Sequence, residues 1–378
     1  MLAYSLRRFA IQIPLLLVFS FVMYLLLFQA ADPKAKLQQI PGARAEDIQR
    51  IIQQQGLDKP WYEGYKDWLT GFVKGDLGQS FSNKASGAGD LIARRLPATL
   101  ELMLGSLILS ILIAAPLGIY SALKRYTPFD YSATAFAYLG WAMPTFLLGL
   151  LLQLFALWTQ QHGWAVIPFS IGLILVLTTV FSLVRPARAS RAMALTALAG
   201  FLIVVLSLVF WNKAGGDGQL IFKTAGRFTD ASTGSIFSVD HLQHLALPVI
   251  TLSIVSIAGW SRYQRSTTID VLSADYLRTA RAKGLSERTV IGRHALRNAL
   301  LPLITIAAID IGAVFTGAVV TETVFGWPGI GRLFYDAALN RDITVAMGVV
   351  MLGAIMIVVF NLIADLAYAV ADPRIRLS

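Results

Sequence analysis

The stretch SRYQRSTTIDVLSADYLRTARAKGLSERTVIGRHALR, residues 261–297, is a polar island between two hydrophobic runs of the chain. It holds eight Arg and Lys residues and fits two short helices joined at Gly284. Gly284 suits the left-handed residue that ends the first helix, and Ser286 suits the N-cap of the second, with Glu287 in its first turn. A structured, basic, helical elbow of this kind is typical of a docking surface.

Apolar spacing supports both helices of the island. Tyr276 and Ala280 stand four residues apart in the first helix, so we expect them to lie on one face of it. The second helix carries a longer stripe, formed by Val290/Ile291, His294/Ala295 and Asn298/Ala299. The sequence therefore predicts a folded elbow, and a loop that is merely rich in positive charge is the alternative.

The composition outside the island indicates an all-α polytopic membrane protein. Of 378 residues, 56% are hydrophobic and only 14% are charged, which excludes an ordinary soluble domain. Several continuous apolar runs reach the length of about 20 residues that a helix needs to cross a bilayer. The chain contains no cysteine, which excludes disulfides and thiolate metal sites.

The apolar runs divide the chain into an N-terminal helix, a lobe and a membrane core. Residues 1–30 form the first predicted span, residues 31–97 an external lobe, and residues 98–378 the core. Spans in the core are predicted at 98–123, 131–159, 245–263, 299–321 and 343–371, and an inserted helical hairpin within 167–236 adds runs at 167–184 and 192–211, giving eight spans. Aromatic-rich spacing predicts that the lobe packs on the membrane domain through Tyr62, Tyr65, Trp68, Leu69 and Phe72.

The distribution of positive charge predicts how the chain is oriented. With the N-terminus inside, seventeen Arg and Lys residues lie on the cytoplasmic side and five lie in the short external loops. The long first loop carries the others, and long loops translocate largely regardless of charge. We therefore expect both termini and the island in the cytoplasm, with the protein in the cell (inner or cytoplasmic) membrane.

Motif searches predict a chain that is not itself an enzyme. No G-x-x-x-x-G-K-[ST] phosphate-binding loop is present, so any ATP would have to be hydrolysed by other subunits. His241 and His244 stand three residues apart but have no acidic cluster nearby at helical spacing. We expect hydrogen bonding from them and predict no metal site.

Six motifs together resemble the DppB/OppB-like permease subunits of ABC importers for dipeptides and oligopeptides. They are GLDKP (56–60), GDLGQS (75–80), DYLRTARAKGL (275–285), HALRNALLP (294–302), TETVFGWPGIG (321–331) and DPRIR (372–376). The resemblance implies the type I importer permease fold, with six core transmembrane helices. The two runs within 167–236 depart from that pattern and are predicted to be an insertion.

The resemblance also implies that residues 261–298 are a cytoplasmic coupling loop that seats on an ATPase subunit. In place of the family's general Glu-Ala-Ala, this chain has Arg278-Thr279-Ala280, so no role that needs the glutamate is assigned. Ala280 and Gly284 are carried over as close-packing positions. The predicted coupling residues are Tyr276, Arg278, Thr279, Ala280, Arg281, Lys283, Gly284, Leu285, Arg288 and Arg293.

The partners implied by the resemblance are those of a complete importer. They are a second, DppC/OppC-like permease, two DppD/DppF-like subunits that bind ATP and Mg²⁺, and an extracytoplasmic peptide-binding protein. No cofactor is expected in this chain, and no nucleic acid is expected as a partner because the basic residues lie in short loops between apolar runs.

Two further sites are predicted outside the island. Asp310 lies in the middle of an apolar run, where a carboxylate is costly and usually faces a cavity or a partner, and Glu322 lies beyond the end of that run. Both are candidates for the translocation path, although Asp310 in a structural pair is the alternative. Gly326, Trp327, Pro328 and Gly329 break the helix and suit an external turn closing over the path, or else a loop with a Trp interface anchor.

Other functions remain open at this stage. Within the family, the cargo could be a nickel chelate or an oligosaccharide instead of a peptide. An ion-coupled secondary transporter would need ion-coordinating groups at the membrane midplane and usually an internal repeat, and neither is evident. A membrane scaffold that transports nothing would leave the elbow without a role.

Overall fold

The computed structural model describes residues 2–30, 52, 59–81, 86–162, 222–229, 235–236 and 238–371. Within these residues the regular structure is helical, apart from an isolated antiparallel bridge between Gln79 and Gly87. The spans predicted at 167–184 and 192–211 fall outside the described residues, as does most of 31–58. The prediction of eight spans and that of an external lobe therefore remain predictions.

The helices follow one another along the chain with short connections. Those of the N-terminal part are α1 (Leu2–Ala30), α2 (Trp61–Val73), α3 (Ala88–Leu123), α4 (Pro128–Ala142) and α5 (Thr145–His162). Those of the C-terminal part are α6 (Val239–Leu272), α7 (Asp275–Ala282), α8 (Glu287–Thr289), a π-helical segment (Val290–Ala295), α9 (Leu296–Val324), α10 (Ile330–Leu339) and α11 (Ile343–Ala371).

Within the described residues, four helices are long and apolar enough to cross a membrane. The pair α4 and α5 adds a fifth if it counts as one span, but the two helices meet at 108°. The prediction of one continuous span over 131–159 is therefore wrong. The break falls at Met143 and Pro144, because the residue before a proline is driven out of the helical region, and Met143 has an extended ψ of 124°.

Two helices extend beyond their predicted spans. Helix α3 begins at Ala88 rather than at residue 98, so residues 88–97 are helical. Helix α6 ends at Leu272, so residues 261–272 of the polar island continue a membrane helix. His244, buried near the start of α6, bonds the Asp240 carbonyl through Nδ1 at 2.8 Å, which confirms the predicted hydrogen bonding.

The chain divides into two compact units, and the first comprises Met1–Leu107 with Ile304–Ser378. Its core includes a buried cluster on α3, α10 and α11 that contains Ile92, Ile330 and Val345. A second cluster joins Tyr24 of α1 and Met347 of α11 to the aromatic face of α2, formed by Tyr65, Trp68 and Phe72. This confirms the predicted packing for three of the aromatic residues, whereas Tyr62 is exposed.

The second unit comprises Ile108–Leu303. Helix α6 packs against α4 and α5, and glycines allow its close approach to its neighbours. A Cβ on Gly118 of α3 would lie 2.6 Å from the carbonyl oxygen of Ser261 and 2.7 Å from Cβ of Gln264. Side chains larger than hydrogen are therefore excluded where α3 crosses α6.

Candidate functional site

The elbow predicted between α6 and α9 is a folded structure with its own small core. Leu277 and Ala280 of α7 are buried against Val290 and Ala295 of the π-helical segment. Val271 and Leu272, at the end of α6, pack on the same cluster. Burying a side chain such as Leu277 contributes about 1.5–3 kcal/mol, so this core holds the two arms of the elbow together.

The buried face of α7 differs from the predicted one. Tyr276 is 43% exposed, and Leu277 occupies the core position instead. The reason is that Leu277 and Ala280 are three residues apart, which also places them on one face of a helix. Tyr276 instead accepts a hydrogen bond from Asn298 Nδ2 at 2.9 Å, which links α7 to the first turn of α9.

Gly284 ends α7 in the left-handed conformation that the sequence predicts, with φ of +78°. The amide of Leu285 donates to the carbonyl of Ala280 at 3.4 Å, and the amide of Gly284 donates to that of Arg281 at 2.9 Å. These two bonds define a Schellman motif. A Cβ on Gly284 would meet no atom of this chain within 4 Å, so the glycine serves the backbone conformation here, and its predicted close packing stays a prediction.

The second arm of the elbow starts at Ser286, whose hydroxyl accepts the amide of Thr289 at 3.4 Å, as a predicted N-cap should. The arm is not a separate helix, because α8, the π-helical segment and α9 follow without a break. Hydrogen bonds in a π-helix join residues five apart, whereas those in an α-helix join residues four apart. Val290 and Ala295 can therefore share the buried face although they are five residues apart.

Most of the predicted coupling residues form the outer surface of the elbow. Ala280 is buried, and the other nine are exposed: Tyr276, Arg278, Thr279, Arg281, Lys283, Gly284, Leu285, Arg288 and Arg293. Arg281 spans the turn and donates to the carboxylate of Glu287 from Nε at 3.2 Å and from Nη2 at 2.9 Å. This contact lowers the pKa of the Glu287 carboxyl. The elbow therefore presents a mostly cationic surface with Leu285 at its tip.

A second constellation lies where α9 ends and α10 begins. Glu322 is buried, and its carboxylate accepts hydrogen bonds from the hydroxyl of Thr99 at 2.7 Å and from the amide of Arg332 at 2.9 Å. The hydroxyl of Thr99 in turn accepts the amide of Ile330 at 2.8 Å. The carboxyl group of Glu322 thus satisfies an amide in the first turn of α10 that has no partner within the helix. Its place on a translocation path remains a prediction.

The buried side chain of Trp327 holds the turn between α9 and α10 in place. Its indole is fully buried, and Nε1 donates to the carbonyl of Ala98 at 2.8 Å. A membrane-interface Trp would have an exposed ring, so that alternative is wrong for Trp327. Gly329 lies against Glu322 so closely that an added Cβ would collide with the carboxylate. Asp310 lies part-buried on α9, and its place on the path stays a prediction.

Comparisons with known proteins agree on the family of this chain. Residues 192–377 match the model described as binding-protein-dependent transport system inner membrane component, and residues 1–103 match the model of the corresponding N-terminal region. The oligopeptide transport system permease protein AppB of Bacillus subtilis (strain 168) is 36% identical over 377 residues, covering 100% of both chains. The chain belongs to this permease family.

Two other relatives of the permease are similar over comparable lengths. The dipeptide transport system permease protein DppB of Escherichia coli (strain K12) is 34% identical over 386 residues, covering 100% of this chain and 99% of its own. The glutathione transport system permease protein GsiC of Escherichia coli O6:H1 is 30% identical over 376 residues, covering 100% of this chain and 99% of its own. The resemblance predicted from the six motifs is confirmed.

Sequence reasoning missed several residues that shape these sites in the permease. Leu277 could have been found from its three-residue spacing to Ala280. Thr99 could not, because it stands 223 residues from the Glu322 it binds. Arg265 was counted among the basic residues of the island, but it lies on α6 and pairs with Asp130 of α4.

Proposed function

We propose that this chain is the permease subunit of an ATP-driven importer and moves peptides across the cell membrane. The observation that carries the proposal is the elbow: a folded, cationic surface with a rigid Schellman turn, directly continuous with the helix that follows it. The relatives are permeases of oligopeptide, dipeptide and glutathione transport systems, which supports a peptide cargo.

The elbow docks on an ATP-binding subunit in this proposal. Association and separation of two such subunits displace the elbow, and the displacement opens and closes the path. Such coupling requires contacts that differ between two states, and a rigid two-arm elbow suits that requirement better than a flexible loop. The ATP-binding subunits hold ATP and Mg²⁺, since this chain contains no phosphate-binding loop.

The remaining partners complete the importer. A second, related permease subunit forms the path together with this chain, and an extracytoplasmic peptide-binding protein delivers the cargo. Both termini and the elbow lie in the cytoplasm, and the hairpin within 167–236 is an insertion in the core. Asp310 lies on the path and meets the ammonium group of a peptide, Glu322 lies near its outer end, and the turn beyond α9 covers it.

Reconstitution tests this function directly. The chain, co-expressed with ATP-binding subunits and a second permease of the same family, is expected to co-purify with them and to take labelled dipeptides into proteoliposomes when a peptide-binding protein and ATP are present. Gly284→Trp should leave the chain inserted but uncouple ATP hydrolysis from uptake. Purification without ATP-binding subunits, or full transport by the Gly284→Trp complex, would contradict the proposal. Uptake of a nickel chelate or an oligosaccharide instead would contradict the peptide cargo alone.

A further inference from the structure

An ion pair between a part-buried Arg265 and a buried Asp130 joins α6 to the start of α4 in the second unit. The guanidinium of Arg265 binds the carboxylate of Asp130 with two hydrogen bonds, from Nε to Oδ1 at 2.6 Å and from Nη2 to Oδ2 at 2.8 Å. The side chain of Asp130 is only 3% exposed. Arg265 is the next residue after Gln264, which makes a second contact from the same turn of α6.

The carboxylate of Asp130 has no unused hydrogen-bonding capacity. Besides the two bonds from Arg265, Oδ1 accepts the hydroxyl of Ser121 and Oδ2 accepts the backbone amide of Tyr126 at 2.9 Å. Four donors match the roughly four lone-pair sites of a carboxylate. Tyr126 has a φ of +63°, which is unusual for a bulky residue, so Asp130 also fixes the turn between α3 and α4.

Gln264 connects the same part of α6 to the elbow arm. Its side chain is fully buried, and Nε2 donates to the carbonyl of Ala299, in the first turn of α9, at 3.0 Å. Gly118 of α3 lies directly against this turn, where an added Cβ would lie 2.7 Å from Cβ of Gln264 and 3.0 Å from the amide nitrogen of Arg265. Two adjacent residues of α6 thus connect it to different helices: Gln264 binds the elbow arm, and Arg265 binds α4.

We propose that Asp130 and Arg265 are positioning residues that carry the displacement of the elbow to α4, so that both move as one body during transport. This inference rests on the proposed function of the elbow. A planar guanidinium fork on a carboxylate fixes orientation as well as distance. Because the carboxylate of Asp130 is buried and fully bonded, whereas Arg265 is part-buried, separating them would leave a buried carboxylate without its charged partner, and the joint resists being pulled apart.

The exposed ion pairs of the elbow cannot carry its displacement to α4. Arg278 and Asp275 are 3.3 Å apart, but their side chains are 74% and 93% exposed. Pairs in such positions contribute little because water and salt screen them. Arg281 and Glu287 stabilise the turn of the elbow itself but do not reach a membrane helix. Of the ion pairs within the described residues, the one between Asp130 and Arg265 joins the helix that enters the elbow to α4.

The first experiment measures how many peptides are taken up per ATP hydrolysed by the reconstituted complex. Asp130→Asn keeps the shape of the side chain but removes the charge, and it should lower this ratio by about fivefold or more while the ATP-binding subunits still co-purify. Arg265→Lys keeps the charge but loses the fork, and it should lower the ratio less. Asp336→Asn, which breaks a long exposed pair on α10, is the matched control and should leave the ratio unchanged.

The second experiment follows the motion itself. Because the chain contains no cysteine, spin labels can be placed at Leu139→Cys on α4 and at Arg297→Cys on the elbow arm, both exposed positions. The distance between the labels should stay the same with and without ATP in the otherwise native chain, and it should change with ATP when Asp130→Asn is added. If Asp130→Asn does not assemble, Arg265→Lys serves in its place.

Three results would overturn the inference. Unchanged peptide-to-ATP ratios for both Asp130→Asn and Arg265→Lys would show that the pair carries no displacement. A parallel loss of uptake, hydrolysis and co-purification would show that the pair only stabilises the fold. If the distance between the two spin labels changes with ATP while Asp130 and Arg265 are unmutated, α4 does not follow the elbow. Failure of the elbow's own function would instead appear as a native complex that does not bind ATP-binding subunits.

Discussion

The hydroxyl of Thr99 donates a hydrogen bond of 2.7 Å to the carboxylate of Glu322, across 223 residues of sequence. The same hydroxyl accepts the amide of Ile330 at 2.8 Å, so one oxygen atom links the start of α10 to the end of α9. All three groups are buried. The turn that carries Trp327 is therefore fixed by a network in which each member depends on the others.

Thr99→Val should destabilise the permease by about 1–3 kcal/mol, because the substitution leaves the amide of Ile330 and one oxygen of Glu322 without this partner. Thr99→Ser retains the hydroxyl and should lose much less stability than Thr99→Val. Thermal unfolding of the purified protein in detergent, followed by the fluorescence of buried tryptophans, would measure both variants. Equal stability of the Val and Ser variants would mean that the hydroxyl does not hold this turn.

Gly284→Ala should destabilise the elbow, because the left-handed conformation costs an L-residue about 1–2 kcal/mol relative to glycine. No steric clash adds to this cost, since the space around Gly284 is open. Gly292→Ala is the matched control: its surroundings are equally open, but it lies inside the π-helical segment without a positive φ. Hydrogen exchange of residues 275–299 should quicken for Gly284→Ala and not for Gly292→Ala.

Local signals explain why the elbow could be predicted from sequence. Gly284 indicates a left-handed residue at the end of a helix, and Ser286 indicates an N-cap. Each residue type thus predicts the backbone conformation at its own position. The face of α7 was predicted wrongly because Tyr276 and Leu277 are both apolar enough to be buried, and only the tertiary contact with Val290 decides between them. The π turn left no sequence signal that helical periodicity could detect.

Contacts between residues that are far apart in the sequence could not be predicted. Asp130 and Arg265 are 135 residues apart, and each alone is typical of a charged residue near a membrane surface. Glu322 was predicted to lie on the translocation path because it follows the apolar run that contains Asp310. Its contacts with Thr99 and Arg332 depend on how α3, α9 and α10 assemble, which no local pattern records.

Asp310→Asn should reduce peptide uptake more than it reduces assembly, because Asp310 would otherwise supply the negative charge that meets the ammonium group of a peptide. Uptake of a labelled dipeptide into proteoliposomes, normalised to co-purified ATP-binding subunits, measures the two effects separately. Asp336→Asn makes the same chemical change on α10, at a half-exposed position, and should leave uptake intact. Normal uptake by an assembled Asp310→Asn complex would remove Asp310 from the path.

Two leucines of the elbow should separate folding from docking. Leu277 is fully buried, so Leu277→Ala should destabilise the elbow by about 2–5 kcal/mol, through lost burial and the cavity that remains. Leu285 is 41% exposed at the tip, and Leu285→Ala should change stability by no more than about 0.5 kcal/mol. Hydrogen exchange of residues 275–299 would distinguish the two variants.

Binding of the elbow to the ATP-binding subunit should respond to the same two substitutions differently from the stability of the elbow. If Leu285 inserts into a groove on the ATP-binding subunit, Leu285→Ala should weaken the measured affinity by more than about 1 kcal/mol, or roughly fivefold, although the elbow remains folded. Leu277→Ala should weaken docking only to the extent that the elbow unfolds, and a lower temperature should restore part of the loss. Full affinity in the Leu285→Ala complex would place the docking contact on another face of the elbow, away from its tip.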